Sequence, residues 1–181
     1  MAHASDRSDA KIGLMSAPAH DPGPDTGPDT GAVAPAVAAA LASYAADPGR
    51  YAEALEAVQG SRLLLAMAEV PASTFAEPED HHHGSTAMGA VSIQGPGGRR
   101  GLLAFTGVEP LRQYDGNVRP LPVTAQEAAE TALRDGASAL LVDLAGPVRL
   151  VVEGEDLSAV AAGWTLARVG ERSVWIRPPA E

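Results

Sequence analysis

Three polar residues, Thr106, Arg119 and Asp143, stand where the sequence could support chemistry. Thr106 and Asp143 each come directly after an apolar run that predicts a buried strand, and ligands gather at the carboxyl ends of strands in open α/β sheets. Arg119 is expected to pair with Asp143 across that edge of the sheet. We favour a structural interpretation of this pair, in which it caps loops, because such ion pairs also occur where no ligand binds.

The alternative interpretation of the same region is a binding site. On this hypothesis the binding residues are Phe105, Thr106, Arg119, Pro120, Asp143 and Pro147. A pocket of about 300 Å³ or more, lined by convergent polar groups near Phe105, Thr106 and Asp143, would favour a small ligand. A flat apolar patch would instead favour a protein partner.

The residue types that covalent catalysis needs are largely missing. The chain has no cysteine, its histidines are confined to positions 3, 20 and 81–83, and it contains no Gly-x-Ser-x-Gly elbow. Paired carboxylates occur throughout an acidic chain, so their presence points to no particular site. We therefore predict no catalytic residue and no cofactor, and we favour a noncatalytic domain over an enzyme.

Three consecutive histidines, His81, His82 and His83, lie in a polar segment that contains two prolines and predicts a long exposed loop. Consecutive side chains on a regular element cannot all face one metal ion, although a loop carrying nearby carboxylates such as Asp80 offers further ligands. We favour a solvated loop and predict no metal site. A loop-borne metal site is the alternative.

Charge and composition limit the partners of the chain. It carries 13 basic and 23 acidic residues, a net charge of −10, which removes the attraction on which nucleic-acid binding depends. No apolar run approaches the ~20 residues that span a bilayer, and the N-terminal residues lack the apolar region of a signal peptide. We expect a cytoplasmic protein whose partner is another protein, with neither nucleic acid nor membrane bound. One lysine against twelve arginines indicates a GC-rich, actinobacterium-like source.

The helices that must position these residues follow from apolar spacing. They lie in a single predicted domain, residues 32–177. Residues 1–31 contain a repeated Gly-Pro-Asp-Thr and predict a disordered, acidic, Gly/Pro-rich tail, and residues 178–181 are predicted to form a second tail. Within the domain, helices are predicted at 33–46, 48–59, 125–135 and about 153–162, with about one and a half helical turns at 108–114. Thr124 and Glu127 predict a capping box at the start of the third helix.

Apolar runs and alternating patterns predict the strands, at 62–68, 87–93, 100–106, 118–123, 139–143, 148–152, 165–169 and 173–176. The turn Gly95-Pro96-Gly97-Gly98 predicts a hairpin between the second and third of these, and Pro120 and Pro122 confine 118–123 to a sheet edge. The predicted fold is α+β (α/β): a single domain with a mixed sheet of about six to seven strands with hairpins, packed by about four helices.

The order of several short motifs resembles the SseB N-terminal domain family. The resemblance covers about residues 36–162, and its segments are Ser61-Arg62-Leu63-Leu64, Gly97-Gly98-Arg99, Leu103-Ala104-Phe105-Thr106, Arg119-Pro120 and Asp143-Leu144-Ala145-Gly146-Pro147. It implies a small cytoplasmic α/β domain, and by itself it transfers no activity.

Two functional hypotheses remain open at this point. The first, which we favour, is a noncatalytic protein-interaction or adaptor domain of the SseB-like family that uses the edge at 118–123 or the hairpin. The alternative is a small-ligand-binding domain or enzyme with a pocket near Phe105, Thr106 and Asp143.

Overall fold

The computed structural model of the chain describes residues 31–71, 86–170 and 172–179. Its α-helices are α1 Pro35–Ala46, α2 Tyr51–Gln59, α3 Val108–Tyr114, α4 Ala125–Arg134 and α5 Gly154–Ala161. Its strands are β1 Arg62–Pro71, β2 Thr86–Ala90, β3 Ser92–Gln94, β4 Arg100–Phe105, β5 Arg119–Thr124, β6 Ala139–Val142, β7 Leu150–Glu153, β8 Thr165–Val169 and β9 Arg172–Ile176. The described residues thus form an α+β domain, as predicted. They contain five α-helices where about four were predicted, and the additional one is the short α3.

Strands β1, β4 and β6 form the centre of a mixed seven-stranded sheet. Strand β4 is antiparallel to β1 and parallel to β6, and β7 pairs antiparallel with β6. Strand β5 pairs antiparallel with β1 and lies at an edge of the sheet, the position that its prolines predicted. Strands β8 and β9 form a separate two-stranded sheet.

The prediction of one strand at 87–93 is wrong, because this segment changes partner at Val91. Strand β2 pairs with β1, whereas β3 pairs with β4. Val91 joins them: its N–H donates to the carbonyl of Ala66 at 2.8 Å, and its carbonyl accepts from the N–H of Leu103 at 3.0 Å. Strands β1 and β4 therefore diverge at Val91. Only the second part of the predicted strand, Ser92–Gln94, forms the predicted hairpin with β4. An alternating pattern shows which side chains share a face, but it carries no information about the partner strand.

The sheet buries both of its faces, but unequally. Alternate residues of β1 point to opposite sides, so Leu63 and Leu65 join the core beneath α1, α2, α4 and α5, whereas Leu64 and Ala66 join a smaller cluster with Leu111 of α3. Burial on both sides is why β1 reads as a continuous apolar run. The second face has one short helix to cover it within the described ranges.

Local sequence signals set the ends of the helices. Thr124 and Glu127 form the predicted capping box: the Thr124 hydroxyl accepts from the Glu127 N–H at 3.1 Å, and the Glu127 carboxylate accepts from the Thr124 N–H at 2.7 Å. Asp47 accepts a hydrogen bond from the Gly49 N–H at 2.9 Å and begins the short 3-10 turn before α2. These contacts fix the residues at which α4 and the turn before α2 begin, while apolar side chains of both helices pack on the first sheet face.

Two of the predicted segments fall outside the described residues. They are residues 1–30 of the predicted N-terminal tail and residues 72–85, which include His81, His82 and His83. Gly31 lies at the domain surface, where its carbonyl accepts a hydrogen bond from the Val108 N–H at 2.7 Å. Among the residues that the structure describes, no helix is long and apolar enough to cross a bilayer.

Candidate functional site

Thr106 and Asp143 meet at the carboxyl ends of the parallel strands β4 and β6, where the strand pattern places them. The Asp143 carboxylate accepts two hydrogen bonds from Thr106, one from its backbone N–H at 2.9 Å and one from its hydroxyl at 2.6 Å. The Asp143 N–H in turn donates to the carbonyl of Ala104 at 3.0 Å. The pair therefore ties the ends of the two strands together.

The conformation of Asp143 is specialised for this contact. Its φ of 52° lies in the left-handed region, which aspartate tolerates better than most residues because its short side chain bonds locally. Gly146 N–H donates to the Asp143 carbonyl at 2.9 Å, and a Cβ at Gly146 would lie 3.3 Å from the Asp143 Cβ. The tight turn after β6 explains the Asp143 and Gly146 positions in the sequence motif.

Asp143 and Thr106 are both shielded from water, with 4% and 3% of their surfaces exposed. Burial raises the pKa of the Asp143 carboxyl above its usual value, and the two hydrogen bonds from Thr106 partly offset that rise by favouring the carboxylate. Neither residue leaves a buried side-chain polar atom unpaired in the described part of the chain.

The residues on either side of Thr106 in the chain are also closely packed. Phe105 is fully buried, and its ring lies 5.7 Å from that of Tyr114 on α3. A Cβ at Gly107 would lie within 3.0 Å of the Gly31 carbonyl and of Val33, so the backbone before α1 lies directly against the end of β4. Of the predicted binding residues, Phe105, Thr106 and Asp143 are thus brought together and buried, and we call these three the closed cluster.

The predicted Arg119–Asp143 pair is not formed. Arg119 lies on the edge strand β5 opposite Met67, with the strands β1 and β4 between it and β6. Its guanidinium pairs instead with Glu69 at 3.8 Å. Both side chains of that pair are mostly exposed. The sequence could not reveal the separation, because it does not show that β5 pairs on the far side of β1.

Pro120 and Pro147, the remaining predicted residues, are exposed. Pro120 and Pro122 occupy alternate positions of β5, so their nitrogens share one side of the strand and have no hydrogen to donate. Prolines are tolerated where that side faces solvent. Edge β5 is therefore poorly suited to accept an added strand. Pro147 lies in the turn between β6 and β7.

A separate cleft of about 480 Å³ opens on the second face of the sheet, away from the closed cluster. It begins at the amino ends of β4 and β6, the strands whose carboxyl ends carry Thr106 and Asp143. The apolar floor of the cleft is formed by Ile93, Gly101, Leu141 and Val151. These four residues lie on the part of the second sheet face that α3 does not cover, and we call this part the open face. A Cβ at Gly101 would lie 2.5 Å from Leu141, so the leucine side chain lies across this glycine.

Charged side chains border the open face. Arg99, Arg100, Arg149 and Glu153 line the cleft, together with Ser138. Sequence reasoning missed all of them. The available signal was Gly101, a residue without a Cβ directly before the apolar residues of β4 and directly after two arginines. The residues that β7 contributes could not be predicted, because they reach the cleft through the pairing of β7 with β6.

The family comparison identifies the domain. The model of the SseB protein N-terminal domain matches residues 37–159, a range that includes both the closed cluster and the cleft. No curated protein and no solved structure matches the chain.

Proposed function

The chain belongs to the SseB N-terminal domain family, and from this premise we propose that it is a noncatalytic protein-binding domain that holds its partner on the open face. The observation that carries the proposal is the unequal covering of the sheet. Helices α1, α2, α4 and α5 cover the first face. Among the residues that the structure describes, the second face has α3, which packs on β1 and β4 and leaves the surface over β3, β6 and β7 accessible.

The closed cluster supports a noncatalytic role. A general acid or base must reach the substrate, and a nucleophile needs a neighbouring base. The Asp143 carboxylate and the Thr106 hydroxyl are buried and bonded to each other, so neither is presented to a substrate. The residues best placed for chemistry by their strand position instead hold the fold together.

The experiment compares two aspartate substitutions at equally exposed valines. Val151 is 36% exposed on the open face, and Val174 is 38% exposed on the β8–β9 hairpin. We expect Val151→Asp to abolish capture of the partner in quantitative cross-linking and mass spectrometry of the source-cell lysate, because a carboxylate would be buried in an apolar interface. Val174→Asp should capture it normally.

Both variants should keep the wild-type melting temperature, because neither side chain is buried. Equal capture by the wild-type protein and Val151→Asp would contradict the proposal. So would loss of the same captured protein in Val174→Asp, because the open face would then have no special role.

Small-ligand binding is the second candidate, and the size of the cleft favours it. A volume of about 480 Å³ lies within the range of small-molecule sites, roughly 300–1,000 Å³. A thermal-shift screen of metabolites tests this candidate: a ligand of the cleft should raise the melting temperature of the wild-type protein and of Val174→Asp, but not that of Val151→Asp.

A further inference from the structure

The cleft concentrates positive charge in a protein that is otherwise acidic. Among the described residues, three of the chain's twelve arginines line the cleft, against a single carboxylate, Glu153. The whole chain, by contrast, has a net charge of −10. A local patch of opposite sign to the whole molecule attracts anionic groups to that patch in particular. The charge distribution therefore selects an anionic group as the occupant of the cleft.

The three arginines differ in how readily they can bind an anion, because their present partners differ. Arg100 is oriented by the fold, because its guanidinium donates to the Ser92 hydroxyl at 2.9 Å and to the Asp135 carbonyl at 3.3 Å. Arg99 pairs with Glu153 at 3.5 Å, and both side chains are largely exposed to water, which weakens the pair. Within the described ranges Arg149 forms no salt bridge.

We infer that the occupant of the open face is an acidic segment of a partner protein, in which a carboxylate lies beside an apolar side chain. The inference rests on the function proposed above. A carboxylate can pair with Arg149 and displace Glu153 from Arg99, while the apolar side chain covers Leu141 and Val151. Exposed ion pairs contribute little by themselves, so affinity requires both contacts together.

Other anionic partners fit the surface less well. A nucleic acid would bring many phosphates to a chain with a net charge of −10 and would gain nothing from the apolar floor. A small inorganic anion would meet one or two guanidinium groups and leave Leu141 and Val151 uncovered. An acidic segment of a protein satisfies both the charge of the rim and the apolar floor.

A display library of random decapeptides, panned against the full chain, tests the inference and does not require the partner to be identified first. We expect the selected peptides to be enriched in Asp and Glu next to Leu, Ile or Phe. A synthetic peptide of the selected sequence should bind about five- to tenfold more weakly to Arg99→Gln/Arg149→Gln than to the wild-type protein. High salt should also weaken it.

Arg172→Gln is the matched control, since Arg172 is exposed on β9, away from the cleft. It should bind the peptide as the wild-type protein does. Selection of peptides without acidic enrichment, no selection above the empty matrix, or equal weakening by Arg172→Gln would overturn the inference. Displacement of the peptide by millimolar phosphate alone would also overturn it, because a small anion would then suffice.

The two proposals fail in distinguishable ways. If Val151→Asp loses its partner while Arg99→Gln/Arg149→Gln retains it, the open face binds proteins but does not recognise an acidic segment. If both variants retain the partner, the proposed function itself is wrong.

Discussion

The carboxyl and amino ends of β4 and β6 have opposite characters. At the carboxyl ends, Thr106 and Asp143 are buried and bonded to each other, and the backbone around Gly31 packs against Gly107, the next residue along the chain from Thr106. At the amino ends, arginines border an open cleft with an apolar floor. A polar residue at a strand end therefore marks a binding site only when the surrounding segments leave it accessible.

The largest effect is expected from removing the carboxylate at the closed end. Asp143→Ala leaves the buried Thr106 N–H and hydroxyl without their acceptor, and should lower the free energy of unfolding by about 3 kcal/mol. Urea denaturation measures the loss. Thr106→Val should cost less, because the backbone hydrogen bond to Asp143 remains. A stable Asp143→Ala protein that no longer bound its partner would reverse our assignment of the two ends.

A smaller effect is expected at the open end. Gly101→Ala places a Cβ against Leu141, and the leucine must move into the cleft, at a cost of about 1–2 kcal/mol. We also expect weaker partner binding, because Leu141 forms part of the floor. Gly95→Ala is the control: its Cβ would meet only ordinary contacts, with 3.6 Å to the Arg99 carbonyl, so it should change unfolding little. An unchanged partner affinity in Gly101→Ala would place the binding surface elsewhere.

The pH dependence of stability provides a subtler test of the closed end. Burial raises the pKa of Asp143 in the folded protein above its value in the unfolded chain, about 3.9, so the folded state holds the proton more tightly. The stabilisation that Asp143 contributes is therefore fully present below about pH 3.9, and it is lost as the pH rises through the pKa of Asp143 in the folded protein. The difference in unfolding free energy between the wild-type protein and Asp143→Asn should fall over that window. A difference that rises with pH would show that the hydrogen bonds from Thr106 outweigh the cost of burial.

The smallest effect is expected at Arg119, which belongs to neither end. Its pair with Glu69 is exposed, so Arg119→Ala should change the free energy of unfolding by less than about 0.5 kcal/mol and leave partner binding intact. Calorimetry and the capture assay measure both quantities. Loss of the partner in this variant would move the interface to the β5 edge.

Local patterns determined most of the elements but not their pairing. The capping box of Thr124 and Glu127 depends on residues that are neighbours in sequence, so it could be predicted, and the apolar runs likewise predicted most of the strands. The change of partner at Val91 could not, because an alternating strand pairs equally well with either neighbour until the rest of the sheet is in place.

Periodicity and short motifs in the sequence were enough to predict the α+β fold, the family and the placement of Thr106 and Asp143 at strand ends. Only the three-dimensional structure shows that this pair is closed to water, that two strands lie between Arg119 and the strand before Asp143, and that Arg99, Arg100 and Arg149 meet around one cleft. The physical reason is that burial and convergence depend on contacts between residues far apart in sequence: the 31–33 backbone closes one end of β4, and β7 brings Arg149 to the cleft that begins at the other.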